Sequence, residues 1–249
     1  MVTVTKPPTI CAITCCYKFE ILLDYTQLDT CMSEVFKDFH ENGDFVYPKH
    51  LTKIKSQVHV PMPFKLQNTT LFYRCRYEVY NSKSGAKRSN FLNQICFYYV
   101  TPEKKKRCFK VFRNGIIHVT GFNDIDDMDH TTTSFYTLLL QFIKTNVTEP
   151  CKYTSKTINM LNMVFKLKNK LKLEFINLYF QTTHKEFSVF YEPELWVGLM
   201  LTGPLYKLML FRSGSVVITG TKSEEVALMA FNDFMTILNQ PENSNLCIV

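Results

Sequence analysis

Two ten-residue segments of the chain carry the same chemical groups at the same spacing. FRNGIIHVTG covers residues 112–121 and FRSGSVVITG covers residues 211–220, so Phe, Arg, Gly and a Thr-Gly pair recur at matching places. An aromatic ring can stack or wedge, a guanidinium can bind an anion, and a threonine hydroxyl can donate a hydrogen bond. These groups suit binding rather than covalent catalysis, and the sequence contains no phosphate loop, nucleophile elbow or paired catalytic carboxylates.

The residues around each decapeptide predict how these groups are held. Gly115 and Gly214 each follow a polar residue, as a tight hairpin turn between two strands requires. After each Thr-Gly pair comes a short acidic turn and then a stretch with helical periodicity. Asp124 and Ser223 lie at the same offset in the two copies, and both suit the N-cap of that helix.

The same order of elements occurs twice, which indicates an internal repeat. Strands are predicted at 9–21, 93–100, 107–112, 157–168, 195–201 and 206–211, and further helices at 25–39 and 173–183. The first copy is longer by an insertion at about 40–89, in which 70–80 is the best strand candidate. A linker at 144–156 separates the copies. The predicted units are a first repeat at 1–146, a second repeat at 151–240 and a C-terminal tail at 241–249.

Composition and charge limit the possible classes of protein. Hydrophobic residues make up 46% and charged residues 20% of the chain, as in an ordinary globular protein. The sequence lacks a signal-peptide pattern and any apolar run of the roughly 20 residues that span a bilayer, so we expect an intracellular, non-secreted protein without a membrane partner. The nine cysteines lack a regular spacing and are expected to be reduced and buried. The net charge of +7 fits a polyanionic partner.

Two further clusters are explained without a metal ion or a cofactor. The acidic run at 124–130 lacks the glycine turn of a calcium loop, and it aligns with the acidic start of the second-copy helix. Cys11, Cys15 and Cys16 would lie on one strand without a second Cys/His pair, which argues against zinc. We expect no metal and no cofactor.

The segments YEPELWVGL at 191–199 and LMLFRSGSVVITGTKSEEVALMAFNDFMTIL at 208–238 resemble the second-repeat signature of the TATA-box-binding protein family. The first repeat resembles that family mainly through FRNGIIHVTG. Together the resemblance covers about 9–39, 90–143 and 157–238. It implies an α+β fold: a saddle in which two pseudo-symmetric repeats form one curved antiparallel sheet with helices on the convex face. The divergence of the first repeat suggests a large DNA virus or a fast-evolving protist as the source.

The resemblance implies that the protein is not an enzyme but binds and bends A/T-rich promoter DNA through the minor groove. Aromatic wedges of this family correspond to Phe91, Phe112, Trp196 and Phe211, with Trp196 standing where the family usually has Phe. The implied groove-facing residues are Asn159, Leu161, Met209, Val217, Thr219, Thr120, His118, Lys110 and Thr9. Phosphate contacts are expected from Arg113, Arg212, Lys166, Lys168, Lys170 and Lys172.

The string Tyr-Glu-Pro-Glu-Leu implies a second interface. The resemblance assigns Tyr191, Glu192, Glu194 and Leu195 to contacts with a transcription factor IIB-like protein, and hence with the RNA polymerase machinery. A monomer on double-stranded DNA, in a nucleus or at a viral replication site, is the expected form.

A competing hypothesis keeps the fold and replaces DNA with another polypeptide, so that the protein is an interaction scaffold. Thr9, Lys110 and His118 support it, because they depart from the family's pattern on the presumed DNA face. The second repeat keeps the apolar pattern, so we expect it to be the better DNA reader.

Overall fold

The computed structural model describes residues 2–42, 57–76, 94–143 and 146–248. The predicted wedge Phe91, much of the predicted insertion and the end of the strand predicted at 70–80 lie outside the described residues. The described part contains four α-helices and thirteen β-strands, which agrees with the predicted α+β class. Within it, no helix is both long enough and apolar enough to cross a membrane.

The helices and strands follow the alternation and periodicity of the sequence. The helices are α1 (Tyr25–Asn42), α2 (Ile125–Phe142), α3 (Leu173–Thr183) and α4 (Glu224–Asn239). The strands are β1 (Val4–Phe19), β2 (Gln57–Leu66), β3 (Thr69–Arg76), β4 (Gln94–Val100), β5 (Lys106–Phe112), β6 (Ile116–Phe122), β7 (Tyr153–Leu167), β8 (Lys170–Leu171), β9 (Ser188–Phe190), β10 (Gly198–Thr202), β11 (Lys207–Phe211), β12 (Ser215–Thr221) and β13 (Cys247–Ile248).

Several boundaries differ from the prediction, and three of them concern the second repeat. Strand β7 begins at Tyr153, inside the predicted linker, because its first residues pair with β1: the Thr154 hydroxyl donates to the Lys18 carbonyl at 3.1 Å. Strand β10 begins at Gly198 rather than at 195, since the residues before it form turns. The tail is ordered as a 3-10 helix, Pro241–Leu246, followed by β13, which pairs with β8.

Contacts divide the chain into two units, and the boundaries between them fall inside the long strands β1 and β7. The second-repeat unit comprises Met1–Thr14 and Ile158–Val249, and the first-repeat unit comprises Cys15–Thr157. The beginning of β1 therefore belongs with the second repeat, although it precedes the first repeat in sequence. A backbone bond from Lys168 to the Thr3 carbonyl at 2.8 Å anchors this beginning.

In the second-repeat unit, strands lie in the order β7-β12-β11-β10-β9, and each strand pairs antiparallel with its neighbours. Helix α4 packs on β12, and α3 packs on β9 and β10. Alternate strand residues are buried under these helices, as period-two patterning predicts. They include Leu199, Leu201, Leu208, Leu210, Val216 and Ile218.

In the first-repeat unit, strands lie in the order β2-β3-β4-β5-β6-β1, and α2 packs against β6 and β2. Aromatic rings fill the space between sheet and helix. Phe135 of α2 stacks on Phe109 at 4.2 Å and contacts Phe97 edge-on at 5.3 Å, both measured between ring centroids. Tyr136 stacks on Phe19 at 3.9 Å. Such pairs add directional contacts to the area they bury.

The predicted caps and turns are confirmed. The Asp124 carboxylate accepts the Asp127 amide at 2.7 Å, and the Ser223 hydroxyl accepts the Val226 amide at 3.3 Å. Gly115 and Gly214 have φ of 79° and 82°, the left-handed region that favours glycine, at the tips of the two decapeptide hairpins.

The acidic residues of α2 bind neighbouring side chains. Asp127 forms an ion pair with the buried Arg107, which also donates to the Tyr99 hydroxyl at 2.9 Å. Asp129 accepts from Lys156 at 2.7 Å and from Tyr153 at 3.2 Å. These contacts support a structural role for the acidic run. Eight cysteines of the described part are free thiols, and five of these are buried: Cys15, Cys96, Cys108, Cys151 and Cys247.

Candidate nucleic-acid interface

The face of the second-repeat sheet opposite the helices carries a continuous row of apolar side chains. Register pairs Phe190 with Met200, Met200 with Met209, Met209 with Val217, and Val217 with Val164. The row, called the apolar row below, consists of Phe190, Met200, Met209, Val217 and Val164. Its last four members are half-buried, and Phe190 is 45% exposed. The predicted positions of Met209 and Val217 on one face are confirmed.

A polar row runs beside the apolar row, two residues along each strand. Thr202 pairs with Ser188 and with Lys207, and Lys207 pairs with Thr219. A β-bulge in β12 between Ile218 and Thr221 places Thr219 beside Asn162 of β7. The Thr219 hydroxyl donates to the Asn162 Oδ1 at 2.6 Å. Because this bond occupies the carbonyl of the side-chain amide, the NH2 group of Asn162 is the part left to donate.

The predicted Asn159 and Leu161 do not belong to this face. Leu161 is fully buried on the helix side, where its carbonyl accepts the Thr221 hydroxyl at 2.8 Å. Its prediction as a groove-facing residue is therefore wrong. Asn159 is exposed but has the strand parity of Leu161, so the alternation gives the open positions of β7 to Met160, Asn162 and Val164. The symmetric prediction fails in β1 for the same reason, because Thr9 shares parity with the buried Ile13.

Two aromatic rings flank the apolar row on the side opposite the polar row. Gly198 is the register partner of Phe211, and Trp196 lies over Gly198. The indole meets the Phe211 ring edge-on, with centroids 5.7 Å apart and planes at 70°. A Cβ at position 198 would stand 2.7 Å from the indole Cη2, so a glycine is needed there for the two rings to meet. The structure thus brings together two of the predicted wedges.

Arg212, the residue after Phe211, forms an ion pair with Glu174 in the first turn of α3. The same carboxylate oxygen accepts the Tyr191 hydroxyl at 3.0 Å. A hydrogen bond to its own backbone amide lowers the pKa of the Glu174 carboxyl, and Tyr191 and Arg212 lower it further. Arg212 was predicted to bind phosphate, but here its charge is already paired, and Glu174 ties the hairpin tip to the start of the 191–197 loop.

The loop that carries the predicted partner residues projects its apolar groups into solvent. Glu192, Glu194 and Leu195 are exposed, Leu195 at 81% of its surface and the neighbouring Val197 at 76%. The Glu192 carbonyl accepts both the Leu195 amide at 2.9 Å and the Trp196 amide at 2.8 Å, which makes the loop a compact turn. An apolar tip flanked by two carboxylates suits a small interface with another protein.

The predicted phosphate-binding lysines do not form one cluster. Lys166 is exposed on the open side of β7, opposite Ser215. Lys168 and Lys170 are exposed further along the chain, and Lys170 belongs to the separate β8/β13 pair. Lys172 lies 5.4 Å above the Phe175 ring. Lys166 is therefore the lysine of this run that adjoins the apolar row.

The equivalent face of the first-repeat unit is charged. Cys96 pairs with Lys110, and Lys110 pairs with His118. Burial lowers the pKa of His118, and the nearby Lys110 lowers it further. Phe112 is half-buried opposite Gln94, and Thr120 lies opposite Cys108. One face thus carries four of the predicted residues: Lys110, Phe112, His118 and Thr120. The guanidinium carbon of Arg113 lies 5.6 Å from the centroid of the Tyr25 ring.

A closed cluster, called the aromatic–thiol floor below, occupies the rest of this face. It consists of Phe72, Cys96, Tyr98 and Cys108, which are 6–8% exposed. Burial raises the pKa of Cys108 to about 11, so its thiol stays protonated. Arg74 donates to the Tyr98 hydroxyl at 2.7 Å, and the Lys106 ammonium lies 4.5 Å from the Tyr98 ring centroid.

The sequence reasoning missed Asn162, Met200, Phe190 and Glu174. Met200 and Phe190 follow from alternation once the pairing of β9 and β10 is known, but β9 is too short to leave a periodic signal. Asn162 depends on the bulge in β12, and the Thr-Gly pair at its site was the available hint. Glu174 acts through residues distant in sequence, which no local pattern reveals.

Comparison with known proteins shows what the chain is similar to. Residues 157–241 match the family model described as transcription factor TFIID, or TATA-binding protein. The chain is 31% identical to TATA-box-binding protein-like 1 of Entamoeba histolytica over 137 residues, 54% of this chain and 59% of that protein. It is 31% identical to the TATA-box-binding protein of Candida albicans over 132 residues, 52% and 51% of the two chains.

A further relative matches over a shorter segment, and a solved structure matches in fold. TATA box-binding protein-like 2 of Mus musculus is 39% identical over 74 residues, 29% of this chain and 20% of that protein. The matched segments thus span 20% to 59% of the lengths of these relatives. The solved structure of Methanococcus jannaschii TBP has a TM-score of 0.52 and 18% identity, with 92% and 96% of the two chains covered, which shows the predicted fold. The chain thus resembles the TATA-binding protein family in residues 157–241 and has the fold of the solved Methanococcus jannaschii TBP.

Proposed function

We propose that the protein is a transcription initiation factor that binds A/T-rich double-stranded DNA in the minor groove through the open face of its second repeat. The observation that carries this proposal is the apolar row, with the Thr219–Asn162 pair on one side and the Trp196–Phe211 pair on the other. Minor-groove proteins of this kind combine an apolar contact surface with rigid apolar wedges that unstack a base step.

Hydrogen bonding supports a preference for A·T pairs. Both A·T and T·A present only acceptors in the minor groove, whereas G·C adds the N2 amino donor of guanine. The Thr219 hydroxyl already occupies the carbonyl of the Asn162 side chain, so this side chain offers its NH2 group. That group can donate to the acceptors of an A·T pair, but it meets the N2 donor of guanine in a G·C pair. The apolar row offers guanine N2 no acceptor either. Discrimination of this kind is worth about 1–3 kcal/mol for a good contact.

The ring pair supports bending. Trp196 and Phe211 meet edge-on and are half-buried, so each retains free ring surface on the open face. Insertion of such a wedge unstacks a base step at a cost of a few kcal/mol and kinks the duplex, and the kink lets more protein surface contact the groove. Bending by a monomer is therefore part of the proposal.

The experiment compares binding to fluorescent A·T-rich and G·C-rich duplexes, with bending followed by energy transfer between the duplex ends. We expect Phe211→Ala to weaken A·T-rich binding at least tenfold and to reduce the bend. Phe175→Ala serves as the matched control, because Phe175 is an exposed phenylalanine on α3, the layer that covers the other side of the sheet. Wild-type protein that binds neither duplex, or equal effects of the two variants, would contradict the proposal.

The 191–197 loop gives the proposal its second part, the recruitment of a transcription factor IIB-like protein and with it the polymerase machinery. Exposed Glu192, Glu194 and Leu195 offer two charges and an apolar anchor. We expect E192A/E194A to weaken binding of a purified IIB-like factor to the protein–DNA complex without changing DNA affinity. E224A/E225A is the control, since it removes two adjacent exposed glutamates from α4. Such a role places the protein in a nucleus or at a viral replication site.

The scaffold hypothesis makes the opposite prediction in the same assay. A protein that binds DNA by neutralising phosphates loses affinity linearly in a log–log plot against salt, with a slope of about −0.9 per phosphate contact. A protein-only scaffold shows no such dependence. The charged face of the first repeat is the feature that favours this second candidate.

A further inference from the structure

The two repeats place different side chains at equivalent positions of their open faces. Phe112 and Phe211 occupy the same place in the two hairpins, and their register partners are Gln94 and Gly198. Counting from these pairs, Lys110 stands where the second repeat has Met209, and His118 stands where it has Val217. Cys96 stands where it has Met200. The apolar row thus has a Cys–Lys–His counterpart.

The faces also differ in how much apolar surface they leave available. In the second repeat, Met200, Met209 and Val217 are half-buried and Phe190 is 45% exposed, so the row can lose further surface to a partner. In the first repeat, the aromatic–thiol floor is already 6–8% exposed. Contact between DNA and that floor would bury almost nothing more, and apolar burial is what supports a minor-groove wedge surface.

Among the described residues, the accessible groups on the first-repeat face include three cations beside the half-buried Phe112, His118 and Thr120. Lys106 is exposed above the Tyr98 ring, Arg74 holds the Tyr98 hydroxyl, and Lys110 is half-buried in the row next to them. A lysine pressed against base edges must lose its hydration, which is costly without a paired anion. Phosphate oxygens supply that anion and need no base-specific geometry.

We infer that base reading is confined to the second repeat, and that the open face of the first repeat binds the phosphate backbone and reads no sequence. This inference rests on the proposed function and deepens it. The base pairs that are recognised by sequence are then those that contact the second repeat. The contribution of the first repeat to DNA affinity then depends on its charge and on the salt concentration.

The test exchanges the residues at one pair of equivalent positions. Met209→Lys places a charge in the apolar row, and we expect it to reduce the preference for A·T-rich over G·C-rich duplex at least tenfold. Lys110→Met removes a charge from the first repeat. We expect it to keep that preference within twofold and to make the slope of log affinity against log salt less steep by about 0.9.

A second pair guards against loss of folding in either variant. Phe211→Ala should reduce the base preference, whereas Phe112→Ala should leave it within twofold, and thermal unfolding without DNA shows that each variant is folded. Equal loss of base preference from the first-repeat and second-repeat variants overturns the inference and leaves the proposed function standing. Wild-type protein without salt-dependent DNA binding overturns the proposed function itself.

Discussion

The Thr219 hydroxyl donates to Oδ1 of Asn162 at 2.6 Å, on the side of the second-repeat sheet that the helices leave open. The two residues lie on neighbouring strands, β12 and β7, and a β-bulge brings them together. The bond fixes the orientation of the Asn162 amide, so its NH2 group is directed by the protein before any ligand arrives. An orientation fixed in advance reduces the ordering cost of binding.

The first prediction separates Asn162 from Asn159. We expect Asn162→Ala to reduce the preference for A·T-rich duplex by about tenfold, which corresponds to ~1.4 kcal/mol. Asn159→Ala is the matched control, because Asn159 is exposed on the same strand but has the opposite parity. Fluorescence anisotropy with the two duplexes measures both variants. A larger effect from Asn159→Ala would contradict the assignment of the open face.

The second prediction concerns the close approach of Gly198 to Trp196. In Gly198→Ala, the new Cβ would stand 2.7 Å from the indole and 3.0 Å from the Leu210 carbonyl oxygen, so the indole must shift away from Phe211. Trp196 is the single tryptophan of the chain, and its emission therefore reports this shift directly. We expect altered emission, a cost of about 1–3 kcal/mol in the free energy of unfolding and weaker DNA binding.

Val197→Ala is the control for this experiment. Val197 lies between the two residues in sequence, but 76% of its surface is exposed, so truncation should leave the ring pair in place. Unchanged tryptophan emission in Gly198→Ala would show that the indole does not depend on the glycine.

Asn162 and Leu161 show how far sequence reasoning reaches. The repeat, the hairpins, the caps and the burial of Leu210, Val216 and Ile218 follow from local patterns, because each depends on neighbours within a few residues. Which face of β7 is open depends on its pairing with β12 and on a bulge there. A shift of one residue reverses every side chain of a strand, so an asparagine chosen by resemblance alone can land on the wrong face.

Arg212 illustrates a second limit. Its position after Phe211 suggested a phosphate contact, and the sequence contains no local hint that Glu174, on a different element, pairs with it. Charges meet through tertiary structure, so the sequence identifies candidate cations but not which of them are free.

The third prediction follows from that ion pair. Glu174→Gln keeps an acceptor for the Tyr191 hydroxyl but removes the charge that holds Arg212. We expect the free energy of unfolding to fall by less than about 1 kcal/mol, because both partners are more than half exposed. Released Arg212 can then bind phosphate, which should steepen the salt slope of DNA affinity by about 0.9.

Two variants check this result. Glu186→Gln should leave the slope unchanged, because Glu186 pairs with His184 at 2.9 Å and not with an arginine. Adding Arg212→Gln to Glu174→Gln should cancel the increase. A slope that stays constant or decreases in Glu174→Gln would refute the release of Arg212.

The fourth prediction concerns the ion pair between Arg107 and Asp127 in the first-repeat unit. Arg107 is buried, and Asp127→Asn leaves its charge without a carboxylate. Breaking a buried pair costs several kcal/mol, but Asp127 is about one-third exposed, so we expect a loss of about 2–3 kcal/mol. Urea unfolding measures the change. The exposed Asp126, in the same helical turn, provides the control variant Asp126→Asn, and equal losses in the two variants would contradict the role of Arg107.

The last prediction uses the lowered pKa of His118. Burial is the main cause and the charge of Lys110 is the second, so the folded protein favours neutral His118. The unfolded chain, with an ordinary histidine pKa near ~6.5, then binds more protons than the folded protein as the pH falls below that value. The free energy of unfolding should therefore decrease from about pH 7 to about pH 5, and His118→Gln should make this decrease shallower. Lys110→Met should do so in part, because it removes the second cause, while His130→Gln changes an exposed histidine on α2 as the control. Urea unfolding across this range decides the matter: a slope that is the same in His118→Gln and in the wild type would show that His118 is as easily protonated in the folded protein as in the unfolded chain.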